Sequence, residues 1–129
     1  MRASLTNYKQ SPRKVRLVAD MIRGKKVSVA RDSLVFLAKK SSPEIIKLLN
    51  SAIANARTQG MNPDDLIVKT ISVDKGMVIK RFMPKARGRA SGIHRTMSHV
   101  TIVLGEQSQS QNAKAKGQNG TPKSKKKKN

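Results

Sequence analysis

Lys80-Arg81-Phe82-Met83-Pro84-Lys85-Ala86-Arg87-Gly88-Arg89-Ala90-Ser91-Gly92-Ile93-His94-Arg95 holds six Lys/Arg in sixteen residues and no carboxylate. No acid occurs anywhere between Asp74 and Glu106. Too few of these residues are large and apolar to make a core, and the cations would repel one another if the segment folded on itself. β-Prone runs flank it, Met77-Val78-Ile79 before and Val100-Thr101-Ile102-Val103-Leu104 after. Two strands around a basic segment punctuated by Gly and Pro predict a long hairpin whose tip projects from the body. A polyanion packed around such an arm turns its self-repulsion into attraction. The small residues Ala86, Gly88, Ala90 and Gly92 suit close approach of one backbone to another.

The rest of the chain fits that reading. Its 129 residues allow one modest domain. The 28 Lys/Arg against 7 Asp/Glu give a net charge of +21 and a pI near 11.3, the footprint of a protein with a polyanionic partner. A membrane surface is a poorer candidate. The chain has no long amphipathic cationic helix and no lipidation signal, and no apolar run approaches the ~18 residues that would span a bilayer. Met1 to Leu5 lacks the apolar core of a signal peptide, and the absence of Cys fits a reducing compartment. Only Tyr8, Phe36 and Phe82 are aromatic, too few for a sheet that stacks bases.

Upstream of the arm, residues 2 to 8 alternate weakly and predict a short strand. Ser11 as N-cap and Pro12 at the first helical position start a helix that Gly24 closes, with Val15, Val18, Ala19 and Ile22 as its buried stripe. A second helix is expected from Ser28 to about Lys39, with Ala30, Leu34 and Leu37 inward. A third begins at Ser41, paired with Glu44 in a capping box, and runs to about Gln59 before Gly60. Its inner face is Ile45, Leu49, Ala52, Ile53 and Ala56. Asn62-Pro63-Asp64-Asp65 reads as a turn. From Leu66 to Val73 the apolar phase slips between Leu66/Val68 and Ile71/Val73, which predicts a bulge, and Asp74-Lys75-Gly76 is expected to interrupt the strand before it resumes. Residues 106–129 are Gln/Asn/Ser/Gly/Lys-rich and predict a disordered basic tail. Lys125 to Lys128 in it read more simply as phosphate attraction than as nuclear targeting.

Few residues suggest other chemistry. His94 and His99 have no neighbouring Cys or acid to complete a metal site. Asp64 and Asp65 suit a turn better than acid–base catalysis, and no phosphate-binding loop or nucleophile motif occurs. No enzyme is expected, and no metal or cofactor. Arg13, Lys14 and Arg16 crowd the start of the first helix, where the macrodipole disfavours cations by ~0.3–1 kcal/mol each. Either a phosphate docks there or the cluster is a solvated basic face.

Ser11 to Lys25, Ser51-Ala52-Ile53-Ala54-Asn55-Ala56, Lys80 to Ala90 and Arg95 to Leu104 together resemble the large-subunit ribosomal protein twenty-two family, in order and spacing over residues 1 to about 105. The resemblance implies an α+β fold: three helices packed on a small three-stranded antiparallel sheet, with a long protruding β-hairpin. Residues 1–105 then form a single ribosomal-protein domain, with the arm at about 77–103 and its tip at 83–91. It implies a structural constituent of the large ribosomal subunit, cytoplasmic, that binds large-subunit ribosomal RNA and supports assembly. The RNA-contacting role falls on Ser11, Arg13, Lys14, Arg16, Lys25, Lys80, Arg81, Lys85, Arg87, Arg89, Arg95 and His99. The tip residues Met83, Pro84, Lys85, Ala86, Arg87, Gly88, Arg89 and Ala90 would line the nascent-peptide exit tunnel. Implied partners are the ribosomal RNA, neighbouring large-subunit proteins including L four, and the nascent polypeptide, with no membrane and no homo-oligomer. Met97 departs from the family, which usually runs Thr-Ser directly where this chain has Thr96-Met97-Ser98, so the register of the return strand is the open point. An architectural DNA-binding protein with a basic β-arm is the alternative. It fits less well, since the chain shows no obvious dimerisation surface.

Overall fold

A computed structural model describes residues 1–106, and the basic tail expected at 106–129 lies outside them except for Glu106. The order is β1 (Arg2–Tyr8), α1 (Pro12–Ile22), α2 (Val27–Phe36), α3 (Ser42–Thr58), β2 (Leu66–Pro84) and β3 (Ala90–Glu106), with a short 3-10 turn at Pro63–Asp65. The strands form one antiparallel sheet in the order β1-β3-β2. This is the expected α+β architecture.

One face of the sheet carries the helices. Ser98, Val100, Ile102 and Leu104 alternate inward along β3 and are buried, while the residues between them are half-exposed. On them pack Val15, Val18 and Ile22 of α1, Ala30 and Leu34 of α2, and Ile45, Leu49, Ala52 and Ala56 of α3. Burying one such large aliphatic side chain contributes about 1.5–3 kcal/mol. The predicted bulge is present: Val68 pairs with Leu104 and Thr70 with Val103, leaving Lys69 without an opposite residue. That extra residue lets both Leu66/Val68 and Ile71/Val73 face the helices.

Three local expectations need correction. Helix α2 spans Val27–Phe36 rather than 28–39, and Leu37 is already extended at ψ 111. Only five residues link α2 to α3, so the chain must leave the helix early to turn back. Ser41 forms no capping box. Its backbone is helical at ψ −14 and its side chain makes no capping bond, because the geometry that brings an N-cap oxygen over the amides needs an extended residue. Glu44 pairs with Lys47 at 3.1 Å instead. Lastly, Asp74–Gly76 does not break the strand. β2 runs unbroken to Pro84, and the irregularity is a second bulge between Lys75 and Val78.

Polar contacts tie the layers together. Arg16 donates from Nε and Nη2 to the Val73 carbonyl at 3.2 and 2.9 Å, and Arg23 from Nη2 to the Ile71 carbonyl at 3.3 Å. Asn55 Nδ2 donates to the Arg2 carbonyl. The Tyr8 hydroxyl donates to the Lys40 carbonyl at 3.3 Å. Burial, and then the nearby Glu44 charge, push that phenol above its usual pKa.

Candidate nucleic-acid interface

Beyond the second bulge β2 and β3 continue as a two-stranded ribbon. Seven successive pairs run from Val78–Thr96 to Pro84–Ala90, about 23 Å at 3.3 Å per residue. Ten extended residues would reach about 33 Å; the ribbon is shorter because residues 85–89 form the end turn. There the Lys85 amide donates to the Arg89 carbonyl at 2.7 Å. Arg87 (φ 61) and Gly88 (φ 66) are both left-handed, so Gly88 serves the turn itself rather than only a close approach from outside.

Every residue from Lys80 to Ala90 is exposed. The structure brings Lys80, Arg81, Lys85, Arg87, Arg89 and Arg95 onto this one ribbon. Among the described residues the ion pairs are Arg23–Asp20 and Lys47–Glu44, so no arm cation has a carboxylate partner. Phe82 is 81% exposed and Met83 52%. Phe82, the arm's aromatic, was missed as a functional candidate; a lone ring within a basic run is the signal, since bases stack on exposed rings.

The cations of α1 divide. Arg13 and Lys14 are exposed at its first turn, while Arg16 is bound to the Val73 carbonyl. Ser11 makes no side-chain capping bond; its carbonyl accepts from the Lys14 and Val15 amides. Lys25 is exposed in the α1–α2 turn, away from the arm in sequence, and the Val68 amide donates to its carbonyl.

His99 sits where arm meets body. The Asn7 amide donates to its Nδ1 at 3.1 Å, and a Cβ on Gly76 would lie 3.0 Å from its Nε2 and 3.3 Å from the Met97 carbonyl carbon. Gly76 and Met77 together oppose Met97, and Leu5 and Tyr8 pair with Val100 and Ser98 across a bulge in β1. The return strand is thus in regular register on both sides of Met97. His99 serves this junction and is half-buried.

Beside the junction a cleft of about 500 Å³ opens between the residues before α1 and the base of the arm. Its lining comes from Lys9, Gln10 and Ser11, from Ile79 and Arg81, and from residues 94–97. Lys9, Gln10 and His94 were not singled out in the sequence as binding residues. No motif marks them, because three distant segments converge there. No group of acids and histidines that could hold a metal occurs among the described residues.

Comparison with known proteins agrees with this geometry. The family model for ribosomal protein L22p/L17e matches residues 3–105. Large ribosomal subunit protein uL22 of Herpetosiphon aurantiacus is 50% identical over 104 residues, covering 80% of this chain and 92% of that protein. The uL22 proteins of Neorickettsia sennetsu and Mesoplasma florum are each 51% identical, covering 81% and 82% of this chain and 94% and 96% of their own lengths.

Proposed function

Because the chain belongs to the ribosomal protein L22p/L17e family, and so is a structural, non-enzymatic constituent of the large ribosomal subunit in the cytoplasm, we propose that it binds large-subunit ribosomal RNA through its arm and α1 and presents the arm's tip to the exit tunnel. One observation carries the reading: an exposed ribbon whose cations lack any carboxylate partner among the described residues. Such a surface gains by neutralising phosphates and releasing their counterions. Lys80, Arg81 and Arg95 at the arm's base, with Arg13, Lys14 and Lys25 on the body, take backbone phosphates. Ser11 and His99 contact the RNA beside them. Arg16 keeps a further donor for phosphate while it braces β2.

At the tip, Met83, Pro84, Ala86, Gly88 and Ala90 offer a low-charge surface between Lys85, Arg87 and Arg89. These three hold wall phosphates or meet a passing peptide, with L four as the neighbouring protein. Co-sedimentation with the large subunit in high salt, lost after RNase but not DNase, tests the RNA reading against the DNA-binding alternative. Deleting Met83–Ala86 tests the tip. Assembly should survive, while peptide-dependent stalling or the response to tunnel-binding drugs changes. A deletion that blocks assembly and leaves no tunnel phenotype makes the tip an anchor.

A further inference from the structure

We infer that the cleft beside the arm's base receives a single unstacked nucleotide of the ribosomal RNA, an inference that rests on the RNA-binding reading above. The cleft is half open, and its volume, about 500 Å³, is of the size of small-ligand pockets. Its chemistry is split in the way a nucleotide is split. Ile79 and Met97 give apolar lining against which a base can lie, and the paired strands put Arg81 and Arg95 on that same face of the ribbon. Lys9, Arg81 and Arg95 in the lining supply positive charge for the phosphate. No carboxylate lines the cleft, so its cations repel a basic peptide.

Two lining residues carry groups able to read a base edge. The Ser11 hydroxyl is not used for helix capping, and the Gln10 amide carries both donors and an acceptor. The cleft is also built in advance. The hydroxyl of the buried Ser98 donates to the Gln10 backbone carbonyl at 3.0 Å, and the Gln10 backbone N–H donates to the Tyr8 carbonyl at 2.7 Å. The Arg81 Nη1 is held on the Lys80 carbonyl at 3.0 Å. A pre-set pocket loses little freedom when it is filled, and sequence-specific RNA recognition characteristically takes unstacked bases of this kind.

The test fills the cleft without changing its charge. Gln10→Trp and Ile79→Trp, each checked for native circular dichroism, are compared with the unaltered full chain for binding to large-subunit ribosomal RNA across a salt series. Both should weaken binding about tenfold, the scale of one lost base–side-chain stack, with the salt slope unchanged. Probing the Watson–Crick edges by dimethyl sulfate should show one adenine or cytosine whose reactivity differs between unaltered and filled proteins. If the bases do not differ and the affinity holds for both variants, the inference falls while RNA binding stands. If the unaltered chain fails to bind the RNA at all, the reading beneath it falls first. Adenosine monophosphate that shifts the amide resonances of Gln10 and Thr96, with the filled variants binding RNA normally, would make the cleft a free-nucleotide site and overturn the inference too.

Discussion

One hydrogen-bond ladder joins β2 to β3 from Leu66–Glu106 to Pro84–Ala90, yet its two halves live in different surroundings. In the body half, Val68, Ile71, Val100 and Ile102 lie at 0–2% exposure under three helices. In the arm half, the same two strands leave Phe82 and Met83 open and hold no buried side chain from Lys80 to Ala90. Backbone pairing is equivalent in both, so pairing does not account for the difference in stability. A two-stranded ribbon is marginal alone in water. The body half is stabilised from within by burial, and the arm half depends on what surrounds it.

Paired truncations test that contrast most severely. Ile102→Ala should cost about 2–5 kcal/mol of unfolding free energy, while Phe82→Ala should stay within about 0.5 kcal/mol. Denaturant unfolding measures both, and equal losses would end the comparison. Brief trypsin treatment of the free chain should likewise cut at Arg87 or Arg89 before any site in α1 or α3.

The boundary between the halves can be probed at Gly76. A Val there pushes its Cβ against His99 Nε2 and the Met97 backbone and should destabilise by about 1–3 kcal/mol. His99→Ala should restore part of the loss, with a coupling of about 0.5–3 kcal/mol in a double-mutant cycle. Additive effects would mean that the imidazole does not fix the arm's departure.

Charges separate the halves more gently. Arg16→Gln should lower stability by about 0.5–1.5 kcal/mol, because its bonds to Val73 are lost. Arg13→Gln should leave stability alone and reduce the salt slope of RNA binding by about 0.7–0.9. The smallest effect concerns Tyr8, the only tyrosine. Its raised pKa means that folding favours the neutral phenol. That contribution is complete below the ordinary tyrosine range and fades as pH rises through the folded value. Phenolate absorbance should rise later than in the unfolded chain, and somewhat earlier in Glu44→Gln.

The hairpin was legible because charge, turn residues and flanking β-runs coincide within residues 77 to 104. So was the bulge at Lys69, since the strand's apolar residues change parity there. Helix α1 announced itself by Ser11, Pro12 and a four-residue stripe. Helix α2 did not reveal its end. Val35 and Phe36 are apolar yet exposed, so periodicity overran the point where a short connection forces the chain to turn. The Ser41–Glu44 pattern misled because capping depends on one backbone angle that the chain's path decides. Arg16 read as a free cation because its acceptor, the Val73 carbonyl, belongs to a strand 57 positions away. The cleft was invisible for the same reason.

The strand at the centre of the sheet is also the last described element to be synthesised. The Met1 ammonium donates to the Leu104 carbonyl across 103 positions, and β3 is the strand with which both β1 and β2 pair. At about 5–20 residues per second, β1 waits on the order of 5–20 s for its partner. Until then β2 has helices to cover its apolar residues and bonds from Arg16, Arg23 and the α1–α2 turn, but no strand partner. Sheet formation therefore waits for β3, and a message cut short before it yields three helices and two strands with no central strand to join them.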